Sequence, residues 1–145
     1  MGEASRSTDA RPVPDGAILL LSGEFDRNTL GDLRDELTKC CADTGLADLA
    51  LSNYVLAINE IATNAVRHGG GDGQARLWRS ATDLWCEVID TGRGIPPHRM
   101  DGYERPKPGH IGGWGLWLAR HLCDGVDIET GRSGTRVVLR FALPR

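Results

Sequence analysis

The sequence predicts an α+β fold, a two-layer sandwich in which a mixed, mostly antiparallel sheet carries helices on one face. Three observations predict it. Apolar residues recur at helical spacing in one long stretch, Leu51, Val55, Ile58, Ala62 and Ala65, and in two shorter ones. Strand-length runs arrive mainly as adjacent pairs joined by short turns, which favours hairpins over the one-for-one alternation of a parallel sheet. A chain of 145 residues is the size of one domain with one hydrophobic core.

Each element follows in order. Residues 1–16 are polar and read as a flexible lead-in, leaving residues 17–145 as the single folded domain. Ala17 to Leu21 is an apolar run of strand length, and Asp26 or Asn28 can cap the helix marked by Leu30, Leu33, Leu37 and Cys40 or Cys41. After a break at Thr44 and Gly45 comes the long amphipathic helix, which ends at His68 before Gly69 to Gly71. Arg76 to Arg79 and Leu84 to Asp90 form a hairpin around Ser80 to Asp83. Thr91 to Gly113 holds four prolines among glycines and reads as a long functional loop. Leu116, Leu118, Ala119 and Leu122 mark a short helix, and Val126 to Thr130 and Thr135 to Phe141 close the domain around the turn Gly131 to Gly134.

Composition narrows the function. Seventeen Lys and Arg against twenty Asp and Glu give a net charge of -3, without the basic excess of a nucleic-acid binder, so no direct nucleic-acid contact is expected. No apolar run has membrane-helix length and no signal peptide is visible, so neither a membrane contact nor export is expected. Cys40, Cys41, Cys86 and Cys123 contain no C-x-x-C pair and read as reduced structural thiols of a cytoplasmic protein. Glycine is the anomaly. Nineteen glycines are about twice the ~7% background, and eleven lie between Gly69 and Gly115, so bare backbone is needed there.

Four stretches in and beside that region could carry chemistry. Glu60 and Asn64 are four apart on the long helix, on the side away from its apolar stripe, and the helix stops in H-G-G-G. Alone, E-x-x-x-N is most often a solvated face. D-T-G-R-G-I-P, Asp90 to Pro96, ends a strand with a carboxylate that can accept a hydrogen bond from an amino group; Gly92 and Gly94 let the chain turn beneath a flat ring. Such an acceptor favours adenine over guanine, although D-x-G-x-G alone is commonly just a turn. G-G-W-G-L, Gly112 to Leu116, opens the short helix, whose exposed N–H groups can hold phosphate, or it is a hinge with close helix packing. In S-G-T-R, Thr135 could reach a ligand directly or through water. The P-loop and dinucleotide-binding signatures are both missing.

In this order, N-E-I-A-T-N-A-V-R-H-G, D-T-G-R-G-I-P, G-G-W-G-L and S-G-T resemble the N box and three G boxes of the ATPase superfamily containing gyrase, Hsp90, the mismatch-repair ATPases and histidine kinases. The resemblance spans about Leu46 to Phe141. Within the superfamily, a small domain with E-x-x-T-N-A-x-x-H-G looks most like the bacterial serine kinase anti-sigma factors, whereas histidine kinases usually place an asparagine where Glu60 stands. The resemblance implies a Bergerat-type fold with ATP between the long helix and a glycine-rich lid. Asp90 would take the adenine amino group, Gly92, Gly94 and Ile95 would border the base, and Thr135 would support it. Asn64 would be the protein ligand of Mg2+, a hard cation that keeps waters and bridges phosphates. Gly113, Gly115 and Leu116 would bind the phosphates through backbone N–H groups, and Glu60 would be the catalytic base.

By that resemblance the partners are a sigma factor and an anti-anti-sigma antagonist whose serine is phosphorylated; the family also tends to dimerise, which leaves a homodimer open. Two other functions remain open: an ATP-binding interaction module without kinase activity, and an ATPase in which Glu60 activates water. Arg99, Arg105 and Lys107 alternate with Asp101 and Glu104 and read as a solvated part of the lid, in which Gly102 and Gly109 would allow movement. His68 reads as a helix-end dipole partner, and His98, His110 and His121 lack metal-ligand spacing. Trp114 and Trp117 depart from the small or aliphatic residues common at those places in the family.

Overall fold

The computed structural model describes residues 5–8, 13–68, 70–92 and 114–144. Its elements are β1 (Ser5–Thr8), β2 (Ile18–Asp26), α1 (Leu30–Asp43), α2 (Asp48–His68), β3 (Asp72–Arg79), β4 (Asp83–Asp90), α3 (Trp114–Leu122), β5 (Gly125–Gly131) and β6 (Gly134–Ala142). The six strands form one sheet in the order β1-β5-β6-β4-β3-β2. Every ladder among the described residues is antiparallel: β3–β4 and β5–β6 are hairpins, while β4 and β5, which α3 connects in parallel, are separated by β6.

Side chains alternate across the sheet, so the register decides which ones meet the helices. Ala75 pairs with Val88, Val88 with Val137, Cys86 with Leu139, and Leu139 with Val126. All of these are buried in one core with Leu33, Leu37 and Cys41 of α1 and the inner face of α2. The opposite sheet face carries charge, where Arg136 Nε donates to Glu87 and Arg140 Nη1 lies 3.1 Å from Asp83 Oδ1. One sheet face is therefore packed by helices, as the sequence predicts, while the other sets these charged groups beside the buried Trp85 and Val138.

Three expectations need correction. The lead-in of residues 1–16 contains a strand: Ser5–Thr8 pairs with Asp127 to Thr130 and satisfies the outer edge of β5, a backbone need that a polar sequence can meet. At α1 the N-cap position belongs to Thr29, not Asp26 or Asn28; Asp26 Oδ1 instead accepts the N–H groups of Asn28 and Thr29 at 2.8 and 3.1 Å and turns the chain ahead of the helix. On α2 the buried face is centred on Tyr54, Ala57, Ile58, Ile61, Ala62 and Ala65, with Leu51 and Val55 only half-buried. It is rotated from the expected stripe because α3 also packs on this helix.

Tyr54 pins α2 to the sheet centre. Its hydroxyl, fully buried, donates to the Leu139 carbonyl at 2.9 Å, and its ring lies 5.0 Å from that of Phe141. Burial pushes the phenol well above its usual range, so it stays a neutral donor. Tyr54→Phe keeps the ring and removes only this bond; we expect a loss of about 1 kcal/mol in urea unfolding, with the fold retained.

Candidate nucleotide site

The long helix α2 needs a sharp stop to bring its last turns against the sheet. Gly70 and Gly71 provide it at φ +97° and +96°, conformations that side chains rarely adopt. A Cβ on Gly70 would lie 3.8 Å from Thr91 Oγ1 and 3.9 Å from Gly92 Cα, so the end of α2 sits beside the end of β4. Two of the four predicted stretches are thereby adjacent.

Asp90 closes β4 opposite Thr135 in the β6 register. Its Oδ1 accepts the Gly92 N–H at 2.9 Å, and the Thr135 N–H also bonds to it. Burial pushes its carboxyl above the ordinary carboxylate range, and these two N–H groups partly oppose that shift. Gly134, at φ +138°, presses against this corner: a Cβ there would run into the Asp90 carbonyl and lie 2.9 Å from Thr91 Cα. The turn before β6 therefore needs glycine, for a closer reason than hairpin shape alone. Thr135 is buried and its hydroxyl meets that of Thr130 at 2.8 Å. Thr130 is the residue sequence reasoning missed, since only the β5–β6 register makes the two neighbours.

The third stretch reaches α2 through Gly115. A Cβ at this position would collide with the Asn64 side-chain amide while lying at an ordinary 3.5 Å from the Glu60 carbonyl, so any larger residue must push the Asn64 side chain aside. Asn64 is thus held against α3 instead of standing on a solvated face, and Glu60, one turn earlier, is half-buried. Leu116 puts its side chain into the core, which fixes the direction of the first-turn N–H groups that the helix itself leaves unpaired. Gly94, Ile95 and Gly113, like Arg99, Arg105, Lys107, Gly102 and Gly109, lie outside the described residues. His68 is exposed at the end of α2; His121 Nδ1 lies 2.7 Å from the Trp117 carbonyl with its ring on that indole, and neither belongs to the site.

Asp90 also borders two open hollows, of about 450 Å³ toward β2 and β3 and about 240 Å³ toward β5 and β6. Asn64 and Gly115 line neither hollow. Among the described residues, no group of three or more His, Cys, Asp or Glu could hold a metal ion. A cation here would rely on one amide oxygen and on oxygens of its own ligand, which suits Mg2+. All four cysteines are free, and no helix among the described residues is long and apolar enough to cross a membrane.

The end of α2, which carries Glu60 and Asn64, thus lies beside the Asp90 strand end and packs through Asn64 on the glycine start of α3 in a helix-on-sheet sandwich. The chain belongs to the histidine kinase-like ATPase domain family, whose model matches residues 24–141. ATP binding comes with that membership. Among solved structures, the RsbU and RsbW domains of Rv1364c from Mycobacterium tuberculosis share the fold at a TM-score of 0.57 and 24% identity, over 86% of this chain and 34% of that one. The histidine kinase domain of the blue-light activated kinase from Erythrobacter litoralis aligns at 0.52 and 21% identity, over 80% and 60% of the two chains. The mycobacterial sensor histidine kinase MprB aligns at 0.53 and 17% identity, over 84% and 97%. The chain therefore spans about a third of the first structure and nearly all of the third. No curated protein matches it.

Gly115→Ala tests the contact between α2 and α3. The added methyl must displace the Asn64 amide, whereas the backbone of α2 at the Glu60 carbonyl stays in ordinary contact at 3.5 Å, so the fold should be kept while Asn64 is moved. We expect ATP affinity to fall at least about tenfold, read by calorimetric titration with Mg2+ present.

Proposed function

We propose that the chain is an ATP- and Mg2+-dependent protein serine kinase that acts as an anti-sigma factor, holding a sigma factor until an unphosphorylated antagonist competes for it. The observation that carries this reading is the contact with Gly115 of α3 made by Asn64, one turn past Glu60 on the helix whose end lies beside Thr91 and Gly92 next to Asp90. The E-x-x-T-N-A-x-x-H-G motif and the fold shared with a structure containing an RsbW domain support it.

Asp90 accepts a hydrogen bond from the adenine amino group, Gly92, Gly94 and Ile95 border the ring, and Thr135 braces Asp90 from β6. The backbone N–H groups of Gly113, Gly115 and Leu116 take phosphate oxygens at the positive end of α3. Asn64 offers its carbonyl oxygen to Mg2+, which, when bound, neutralises phosphate charge. Glu60 accepts the proton of the incoming serine hydroxyl; the new bond joins serine oxygen to the γ-phosphorus as the bond to the β-phosphate oxygen breaks, and ADP leaves. Positioning and charge neutralisation supply most of the rate, as in phosphoryl transfer generally. The product phosphoserine carries about two negative charges, which separates the antagonist from the kinase.

Adding the chain with γ-labelled ATP and Mg2+ to soluble extract of its native cells tests this reading. Label on the serine of a small protein is expected; free phosphate alone points to hydrolysis, and neither product leaves a binding module. A pull-down in ATP and in ADP then identifies the retained sigma factor.

Acidity adds a second check. Because burial raises the Asp90 carboxyl, the folded state favours its protonated form. Asp90 therefore contributes stability at low pH that is lost as pH rises through the raised folded value. The acceptor role needs the ionised form, so ATP affinity is expected to weaken on acidification from above the ordinary aspartate range. In Asp90→Asn this component of the pH dependence should vanish, which titrations of Kd against pH would reveal.

A further inference from the structure

Leu49 and Leu56 are 72% and 42% exposed, and both stand on the first half of α2. At about 100° per residue they fall within roughly 20° of each other, and Glu60, four residues beyond Leu56, lies within about 40° of the same line. Leu56 is about 6 Å and Leu49 about 16 Å from Glu60 along the axis. An apolar strip thus leads to the carboxylate.

The strip is also free of charge. No charged residue occurs between Asp48 and Glu60, and Ser52 and Asn53 fill the surface between the leucines. The neighbouring α1 exposes Asp32, Arg34, Asp35, Glu36 and Lys39. A surface depleted of charge around apolar side chains has the composition of an interface core.

We propose that this strip docks the protein whose serine is phosphorylated, and that this partner meets it with an uncharged, apolar surface around its reactive hydroxyl; the proposal rests on the kinase reading above. A second copy of this chain seated on the strip would cover Glu60 and exclude the hydroxyl, so the occupant is the acceptor itself. The strip also discriminates product from substrate. A neutral serine surface suits it, whereas a phosphoserine dianion meets the Glu60 carboxylate and finds no basic side chain on this face of α2 before Arg67, seven positions past Glu60.

The probe is the protein that takes label from γ-labelled ATP in native-cell extract, purified and used as substrate for the full chain. Leu49→Asp with Leu56→Asp is expected to raise its KM at least about tenfold while kcat and the Kd for ATP stay within about twofold, the pattern of lost uniform binding. The milder Leu49→Ala, Leu56→Ala pair should raise KM about threefold or more, which guards against a folding defect in the charged pair. Ala81→Asp, on the exposed turn between β3 and β4, should change nothing. Unchanged KM in both leucine pairs overturns the docking surface and leaves the kinase reading standing. Loss of a dimer with unchanged KM assigns the strip to a second copy and also overturns it. If no protein takes label, the docking proposal falls together with the kinase reading.

Discussion

Asp90→Asn is expected to weaken ATP binding by about ten- to a hundredfold, because a hydrogen bond to a charged group contributes roughly 1.5–3 kcal/mol. The geometry explains why so small a change matters. Asp90 already uses Oδ1 for the Gly92 N–H, so the adenine amino group must be met by the remaining acceptor capacity of the carboxylate. An asparagine that keeps the Gly92 bond through its carbonyl turns its own amino group toward the adenine amino group, and two donors then face each other. Preference for ATP over GTP should shrink as well. Calorimetric titration with both nucleotides measures this, and an unchanged dissociation constant would remove Asp90 from the base contact.

Glu60→Ala should separate binding from chemistry. The side chain lies one turn from Asn64 on the same face of α2, and the proposed base acts only when the serine proton is transferred. ATP affinity should therefore stay within about twofold, whereas phosphoryl transfer falls by about a hundredfold or more. Single-turnover transfer measured beside nucleotide binding on one preparation separates the two. Normal transfer by the variant would exclude Glu60 from proton removal, and joint loss of binding and transfer would make it a positioning residue.

Much of the fold was legible because hydrophobic periods and turn residues are local. The β5–β6 hairpin around Gly131 to Gly134 and the end of α2 at His68 follow from glycines placed where φ must be positive. The face of α2 was less legible. Leu51 and Val55 have the right period, yet Tyr54, Ala57 and Ile61 are buried because α3 packs beside them, which is a tertiary fact. Ser5–Thr8 has no apolar signal and becomes a strand only because β5 offers an unpaired edge.

The candidate site divides in the same way. Glu60, Asn64, Asp90 and Gly115 stood out as motif residues, but their motifs do not say what Gly115 leaves room for; the Asn64 amide, lying where its Cβ would be, does. Thr130 gave no sequence signal, since one threonine in a strand becomes meaningful only through its register with Thr135. Leu49 and Leu56 fall outside the stripe of Leu51, Val55, Ile58, Ala62 and Ala65 and carry no signal of their own in the sequence; their exposure is visible only in the fold.

The most direct test of the ATP site is a crystal structure of the chain with Mg2+ and a non-hydrolysable ATP analogue. Its adenine amino group should lie within hydrogen-bond distance of Asp90, its phosphates against the first turn of α3, and its metal on the Asn64 oxygen. A nucleotide seated in either hollow bordering Asp90, with Asn64 and Gly115 free of ligand, would contradict the site described above.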